Sequence, residues 1–233
     1  MGDSRDDVAV AKARPARSLR ARLIAAGTVV AVAAGLWAVF AQPWNGADGW
    51  PTTEHEAWFG VWTTAPPADF RPIDGVVVVT SAEWEARVAA VRDIDPEAVA
   101  MLTAPTRFVE RGGTVTLTMA VDGALPEGAL VAGRAPDAGE VVVSVRYRDE
   151  RGWAVGDRLE LAPGADGAAP FESLEVVGFS PEESFGFVAW DDAPTLIDAY
   201  GPGRYDDAVL TDGYLWWDGA VLPDLESALL WDG

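Results

Sequence analysis

Hydrophobic positions follow three different rhythms along the chain. The first is unbroken: Leu23 to Phe40 is 18 consecutive residues without a charge. At 1.5 Å rise per residue such a helix is ~27 Å long, close to the hydrocarbon thickness of a bilayer. The second rhythm is the short apolar run of a buried strand, at Gly75-Val76-Val77-Val78-Val79 and again at Val141-Val142-Val143. The third is helical: Trp84, Val88 and Val91 recur at i, i+4, i+7 directly after Thr80-Ser81-Ala82-Glu83. That tetrad is a capping box, with Thr80 capping the helix and Glu83 reaching back, and Asp95-Pro96 ends the helix. Strands are predicted over Val99–Thr103 and Thr106–Glu110, followed by a turn at Arg111-Gly112-Gly113. Thr114 to Val121 alternates Thr with apolar residues, the pattern of a half-exposed antiparallel strand.

The middle of the chain, Gly133 to Phe179, reads as turn, buried strand, short helix, tight turn, strand, loop and strand. Pro136 fixes φ, and Gly139 can take the positive φ of a turn before the Val141–Val143 strand. Gly156-Asp157 sits between apolar positions, where a sharp bend is cheap. Leu174 to Phe179 forms the closing strand. Further on, Asp192 before Pro194 predicts a helix cap, with a helix running to Tyr200 and stopping at Gly201. Val209-Leu210-Thr211 is the last predicted strand. Leu222 to Trp231 reads as a short amphipathic helix with Leu222, Leu225 and Leu229 on one face. The expected fold class is α+β: mixed or antiparallel sheet lobes with a few short helices, preceded by one N-terminal transmembrane helix.

The middle stretch resembles the extracytoplasmic core domain of ABC-transporter permeases of the FtsX/MacB type. The residues that carry the resemblance are Gly133, Arg134, Pro136, Gly139, Glu140, Ser144, Val155, Gly156, Asp157, Val176, Val177 and Gly178, in the order of that family's series. They span about 47 residues, and weaker similarity reaches back to the N-terminal apolar segment. One feature departs from the family pattern. Where members place an apolar, Ala/Leu-rich helix, this chain has Arg146-Tyr147-Arg148-Asp149-Glu150-Arg151. The resemblance implies four parts: a basic cytoplasmic tail (1–22), a transmembrane helix (23–41), a linker and first strand (42–74), and a two-lobed extracytoplasmic core domain (75–233). It also implies contact with an ABC ATPase or other permease subunits, and no catalysis.

Charge sharpens the division at the apolar run. Residues 1–22 hold six Lys/Arg and three Asp/Glu. Removing these from the 17 basic and 37 acidic residues of the whole chain leaves 11 and 34, a net of −23. Arg20 and Arg22 abut the run and predict the N-terminus inside and the remainder outside, with Leu23–Phe40 in contact with membrane lipid. Trp37, Trp44 and Trp50 fall near the outer boundary. A cleaved signal peptide ending at Ala41 is the competing reading; the apolar region exceeds the 7–15 residues of such a segment. The acidic remainder repels phosphate backbones, so nucleic acid is not an expected partner.

Candidate chemistry is sparse. The chain has no cysteine, which excludes disulfides and thiolate metal sites, and His55 is its one histidine, read as a surface residue of the linker. Glu182-Glu183 and Asp191-Asp192 are late acid pairs, but neighbouring side chains point different ways and make a poor acid/base couple. No nucleophile or phosphate-binding Gly-rich loop is present, so no cofactor is predicted. Trp216-Trp217 is a candidate partner contact if exposed; the alternative is a pair folded back onto the sheet. Three functions follow: a permease's outer domain, an anchored envelope-binding module unconnected to a transporter, or an envelope hydrolase, the last lacking its reacting groups.

Overall fold

The computed structural model describes residues 54–71, 77–110, 114–125, 128–181, 185–205 and 207–225. The chain divides into two units, residues 1–45 and 46–233, and every described residue belongs to the second. The Leu23–Phe40 run, Glu182-Glu183 and residues 226–231 of the expected C-terminal helix lie outside the described residues.

The first strand, β1 (His55–Trp62), is followed by β2 (Val78–Thr80), α1 (Ser81–Arg92), β3 (Val99–Thr103), β4 (Thr106–Phe108) and β5 (Thr114–Asp122). The middle stretch supplies β6 (Ala132–Gly133), β7 (Glu140–Ser144), α2 (Val145–Arg151), β8 (Arg158–Glu160) and β9 (Ser173–Ser180). Then come β10 (Phe185–Ala189), a 3-10 turn (Trp190–Asp192), α3 (Ala193–Tyr200), β11 (Gly203–Tyr205) and β12 (Ala208–Trp217). All described strands join one mixed sheet in the order β2-β1-β12-β3-β5-β10-β7-β9-β6, with β11 beside β12, β4 beside β5 and β8 beside β9. The parallel pairs are β1/β2, β5/β10 and β7/β9. Strands β1–β5 and β6–β10 therefore share one sheet, joined where β5 meets β10.

α1 returns the chain to a strand parallel to the one it left, and α3 does so after the short β11, whereas α2 leads into β8, which runs antiparallel to β7. β2-α1-β3 passes over β1 and β12, and β10-α3-β12 passes over β5 and β3. Trp84, Val88 and Val91 of α1, Leu196, Ile197 and Tyr200 of α3, and Val145 and Tyr147 of α2 all pack into one apolar cluster. Among the described residues, all α-helices thus lie on one face of the sheet. α1 forms as its sequence predicts: Thr80 Oγ1 accepts from Glu83 N–H at 3.3 Å, while Glu83 Oε2 accepts from Thr80 N–H at 2.7 Å. Its three buried side chains contribute about 1.5–3 kcal/mol each.

One local expectation is corrected and another gains detail. On the alternating strand β5 it is the threonines that point inward: Thr116 and Thr118 are buried while Val115 is 58% exposed. The reason is hydrogen bonding. The chain breaks between β3 and β4 at Ala104-Pro105, and the Ala104 carbonyl there accepts from the Thr118 hydroxyl. Thr116 Oγ1 bonds the Tyr147 hydroxyl at 3.0 Å, so neither buried hydroxyl is orphaned. At α3, the helix runs to Tyr200 and stops at Gly201 as expected, but Asp192 makes no capping bond. Its carboxylate instead accepts from Gly139 N–H at 2.8 Å, tying the 3-10 turn to the β6–β7 turn.

Candidate functional site

The residues of the family series converge on one strand. β9 is flanked by β7 on one side and, on the other, by β6 and β8. Between Val141 and Val142 the β7–β9 register slips, so Val177 is an extra residue on β9. Immediately after that bulge, Gly178 stands opposite Gly133. Arg134 N–H donates to the Val177 carbonyl at 3.1 Å, and Gly156 N–H donates to the Val176 carbonyl at 2.8 Å. Val176 N–H in turn donates to the Asp157 carbonyl at 2.8 Å. Two separate loops are thus fastened to adjacent residues of one strand.

Charge closes each loop on itself. Arg134 Nη1 and Nη2 each reach one Glu140 oxygen at 2.5 Å, a bidentate fork, and Glu140 Oε2 also accepts from Asp137 N–H at 2.8 Å. The Arg134 hydrogen bonds hold the Glu140 carboxyl below the ordinary carboxylate range. Asp157 Oδ2 accepts from Ala154 N–H at 2.8 Å, closing the turn in which Gly156 has φ +94°. Gly139, at φ +82°, supplies the turn before β7. Pro136 is half-buried between Arg134 and that turn. Nothing in this cluster resembles a nucleophile with its base. It is a device that holds strands.

The departure in α2 has its own compensation. No α2 residue is fully buried, yet Tyr147 stacks on Trp153 at 4.6 Å and 11° between planes. Trp153 meets Phe108 edge-on at 5.6 Å, and the Arg151 guanidinium lies 5.4 Å over Tyr147. Arg151 also pairs with Glu110, and Arg146 with Glu150 at 2.8 Å. A cation and two aromatic rings do the packing that an apolar helix face does elsewhere.

A second cluster lies on the sheet face turned away from the helices. Trp216 and Trp217 are adjacent on β12 and so point to opposite faces. Of the two readings open for this pair, burial matches the one folded back onto the sheet: Trp217 is 0% exposed in the core, and Trp216 is 6% exposed on the other face. There Trp216 stands opposite Glu56, Tyr214 opposite Trp58, and Asp212 opposite Gly60. Trp58 Nε1 donates to Asp212 Oδ1 at 3.2 Å, and the Trp216 indole hydrogen-bonds Glu56. Burial pushes the Asp212 carboxyl up. Burial, with the charges of Asp212 and Glu56, pushes the Tyr214 hydroxyl above its ordinary range.

His55 is not a linker residue. It opens β1, stacks at 5.4 Å on Trp217, and its Nε2 bonds the Gly219 carbonyl at 2.6 Å. Glu54 N–H donates to Asp218 Oδ1 at 2.7 Å, so the start of β1 and the end of β12 are stitched side by side. Among the described residues no group of three or more His, Cys, Asp or Glu is arranged to hold a metal ion. Of the late acid pairs, Asp191 is exposed and Asp192 buried, each in a different environment. The Glu56–Asp212 face was not singled out by sequence reasoning. The period-two spacing of Asp212, Tyr214 and Trp216, matched by Glu56 and Trp58, is the signal that carries it.

No protein-family model matches the sequence, and no curated protein matches it. Among solved structures, the chain is similar to the extracellular domain of the noncanonic ABC-type transporter YknZ from Gram-positive bacteria. The identity is 12%, covering 71% of this chain and 85% of that one, with a TM-score of 0.43. It is also similar to a domain of a Porphyromonas gingivalis protein assigned as a permease. There the identity is 14%, covering 59% of this chain and 63% of that one, with a TM-score of 0.34.

Proposed function

We propose that this chain is a non-catalytic extracytoplasmic domain of an FtsX/MacB-like ABC permease, or a single-span relative of one, tethered through Leu23–Phe40. The observation that carries the reading is the convergence on β9. Residues that resemble the family series along the sequence, from Gly133 to Gly178, gather around one strand and hold it from two sides. The edges of the described body add to this. β1 begins where β12 finishes, joined by the Glu54–Asp218 and His55–Gly219 bonds. A stiff body gripped at a single point turns as a unit when its tether tilts. That is the mechanical requirement for relaying motion between an ATPase inside and a partner outside. The acidic body and the outward orientation set by Arg20 and Arg22 fit an extracytoplasmic location.

Two measurements test it. The cysteine-free chain accepts a single reporter, Val155→Cys, at an exposed position. In intact cells an impermeant maleimide is expected to label it. Affinity capture of the full chain from solubilised membranes is expected to recover an ABC ATPase or a multi-span permease subunit. Labelling only after lysis, or capture of neither subunit, overturns the proposal.

A further inference from the structure

The face of β1 and β12 opposite the helices carries acids and aromatic rings in a fixed order. Reading along the ladder, the cross-strand pairs are Glu56 with Trp216, Trp58 with Tyr214, and Gly60 with Asp212. Gly60 has no side chain, so Asp212 leans across to the Trp58 indole at 3.2 Å. The two acid-bearing rungs are four residues apart, about 13 Å at the rise of a strand. Between them lie the rings of Trp58 and Tyr214. On the next strand, Val99 pairs with Trp216 and Met101 with Tyr214, giving the strip an apolar wall. Glu56 is exposed, while Trp58, Asp212 and Tyr214 are half-buried, so the strip is open along one side.

The geometry points to a binding strip for a linear organic polycation of the polyamine class, one terminal ammonium group at Glu56, the other at Asp212, and the chain between them over Trp58 and Tyr214. Each carboxylate is positioned by an indole N–H, which orients it without neutralising its charge. Aromatic faces attract ammonium groups and also cover methylenes, so the acid–ring–ring–acid order matches the cation–chain–cation order of the ligand. Inorganic divalent cations fit less well: they require six or more oxygens, and the described residues supply no third acidic ligand here. A second copy of this chain fits poorly too, because two acidic strips would face each other on a molecule of formal charge −20. The inference is independent of the transporter reading and stands on the face alone.

Spermidine titrated into the purified full chain, followed by tryptophan fluorescence and calorimetry, tests it. The expected result is saturable one-site binding below about 1 mM, with butylamine about tenfold weaker or more. Glu56→Gln and Asp212→Asn are each expected to weaken spermidine about tenfold, with melting curves showing a folded protein. The exposed acids Asp149 and Glu150 on α2 provide the control, since Asp149→Asn and Glu150→Gln, made singly, each remove the same charge elsewhere. If either weakens binding equally, or butylamine matches spermidine, the attraction is bulk charge and the proposal fails. Tighter binding of an arginine-rich peptide, with the same dependence on Glu56 and Asp212, makes a peptide the occupant and also overturns it. Should an acid substitution unfold the chain, Trp58→Phe keeps the ring and removes the N–H. A fully retained affinity in that variant would contradict the assigned geometry.

Discussion

Gly133 and Gly178 face each other across the β6–β9 pair, and neither can carry a side chain without moving backbone. Gly133 has φ +87°, and a Cβ there would press into the Val177 carbonyl oxygen. A Cβ on Gly178 would lie 2.9 Å from the Ala132 carbonyl oxygen. Gly156 offers an internal comparison, because its φ is +94° but no atom lies within 4 Å of its would-be Cβ. Gly156→Ala is expected to cost about 1–2 kcal/mol, the conformational penalty alone. Gly133→Ala adds a backbone clash of about 1–3 kcal/mol to that penalty. Urea midpoints of the full chain in detergent should fall in the order wild type, Gly156→Ala, Gly133→Ala. Equal midpoints for the two variants would mean that the close approach is relieved cheaply.

The Arg134–Glu140 fork is partly solvent-exposed, with side-chain exposures of 53% and 18%, so its net contribution is modest. A double-mutant cycle of Arg134→Lys and Glu140→Gln should return a small favourable coupling that falls in high salt. The sign with pH is fixed by the depressed Glu140 pKa. A carboxylate whose folded pKa lies below its unfolded value stabilises the fold above the unfolded value, about 4.3, and that contribution is lost as pH falls through the folded pKa. Glu140→Gln should therefore lower the melting temperature at pH 7 and leave it unchanged at a pH below both values.

Asp212 acts in the opposite direction. Burial raises its pKa, so the folded state holds its proton more tightly than the unfolded one. Its contribution is most favourable below the unfolded value of about 4 and is lost as pH rises through the folded pKa. Asp212→Asn keeps an acceptor for the Trp58 indole and removes the charge. It should raise the melting temperature at pH 7, with the gain vanishing near pH 3. A gain that persists at pH 3 would trace the effect to packing instead of ionisation.

How much of this was legible in the sequence depends on the distance over which each feature is determined. α1, β3, β7 and β9 are set by local period and caps, and the Thr80–Glu83 box and Val99–Thr103 appear where the residues place them. The α+β class followed from those. Strand order did not. β12, the last strand, lies between β1 and β3 because His55 pairs with Trp217, a register no local pattern encodes. The inward threonines of β5 were missed because their burial depends on the Ala104 carbonyl, freed by a break elsewhere in the chain. The motif cluster was half visible: the glycines announced turns, while the Arg134–Glu140 fork needed the geometry of the turn between them. The Glu56–Asp212 strip shows in the sequence only as two separate period-two halves, which meet once the sheet is assembled.

The Tyr147–Trp153 stack tests whether α2 is held by its rings, given that the helix lacks an apolar face. Tyr147→Phe keeps the stack and removes only the bond to Thr116 Oγ1, leaving a buried hydroxyl without that partner at a cost of about 1–2 kcal/mol. Tyr147→Ala removes stack, bond and the seat for Arg151 together. A cycle combining Tyr147→Ala with Trp153→Ala isolates the ring pair, whose coupling should be about 0.5–1.5 kcal/mol. Hydrogen exchange of the α2 amides gives the local readout. If the rings hold the helix, protection over Val145–Arg151 should drop in Tyr147→Ala while α1 protection is retained. Unchanged α2 protection would assign its stability to the Arg146–Glu150 pair and the Ser144 cap, and the aromatic compensation for the missing apolar face would have to be withdrawn.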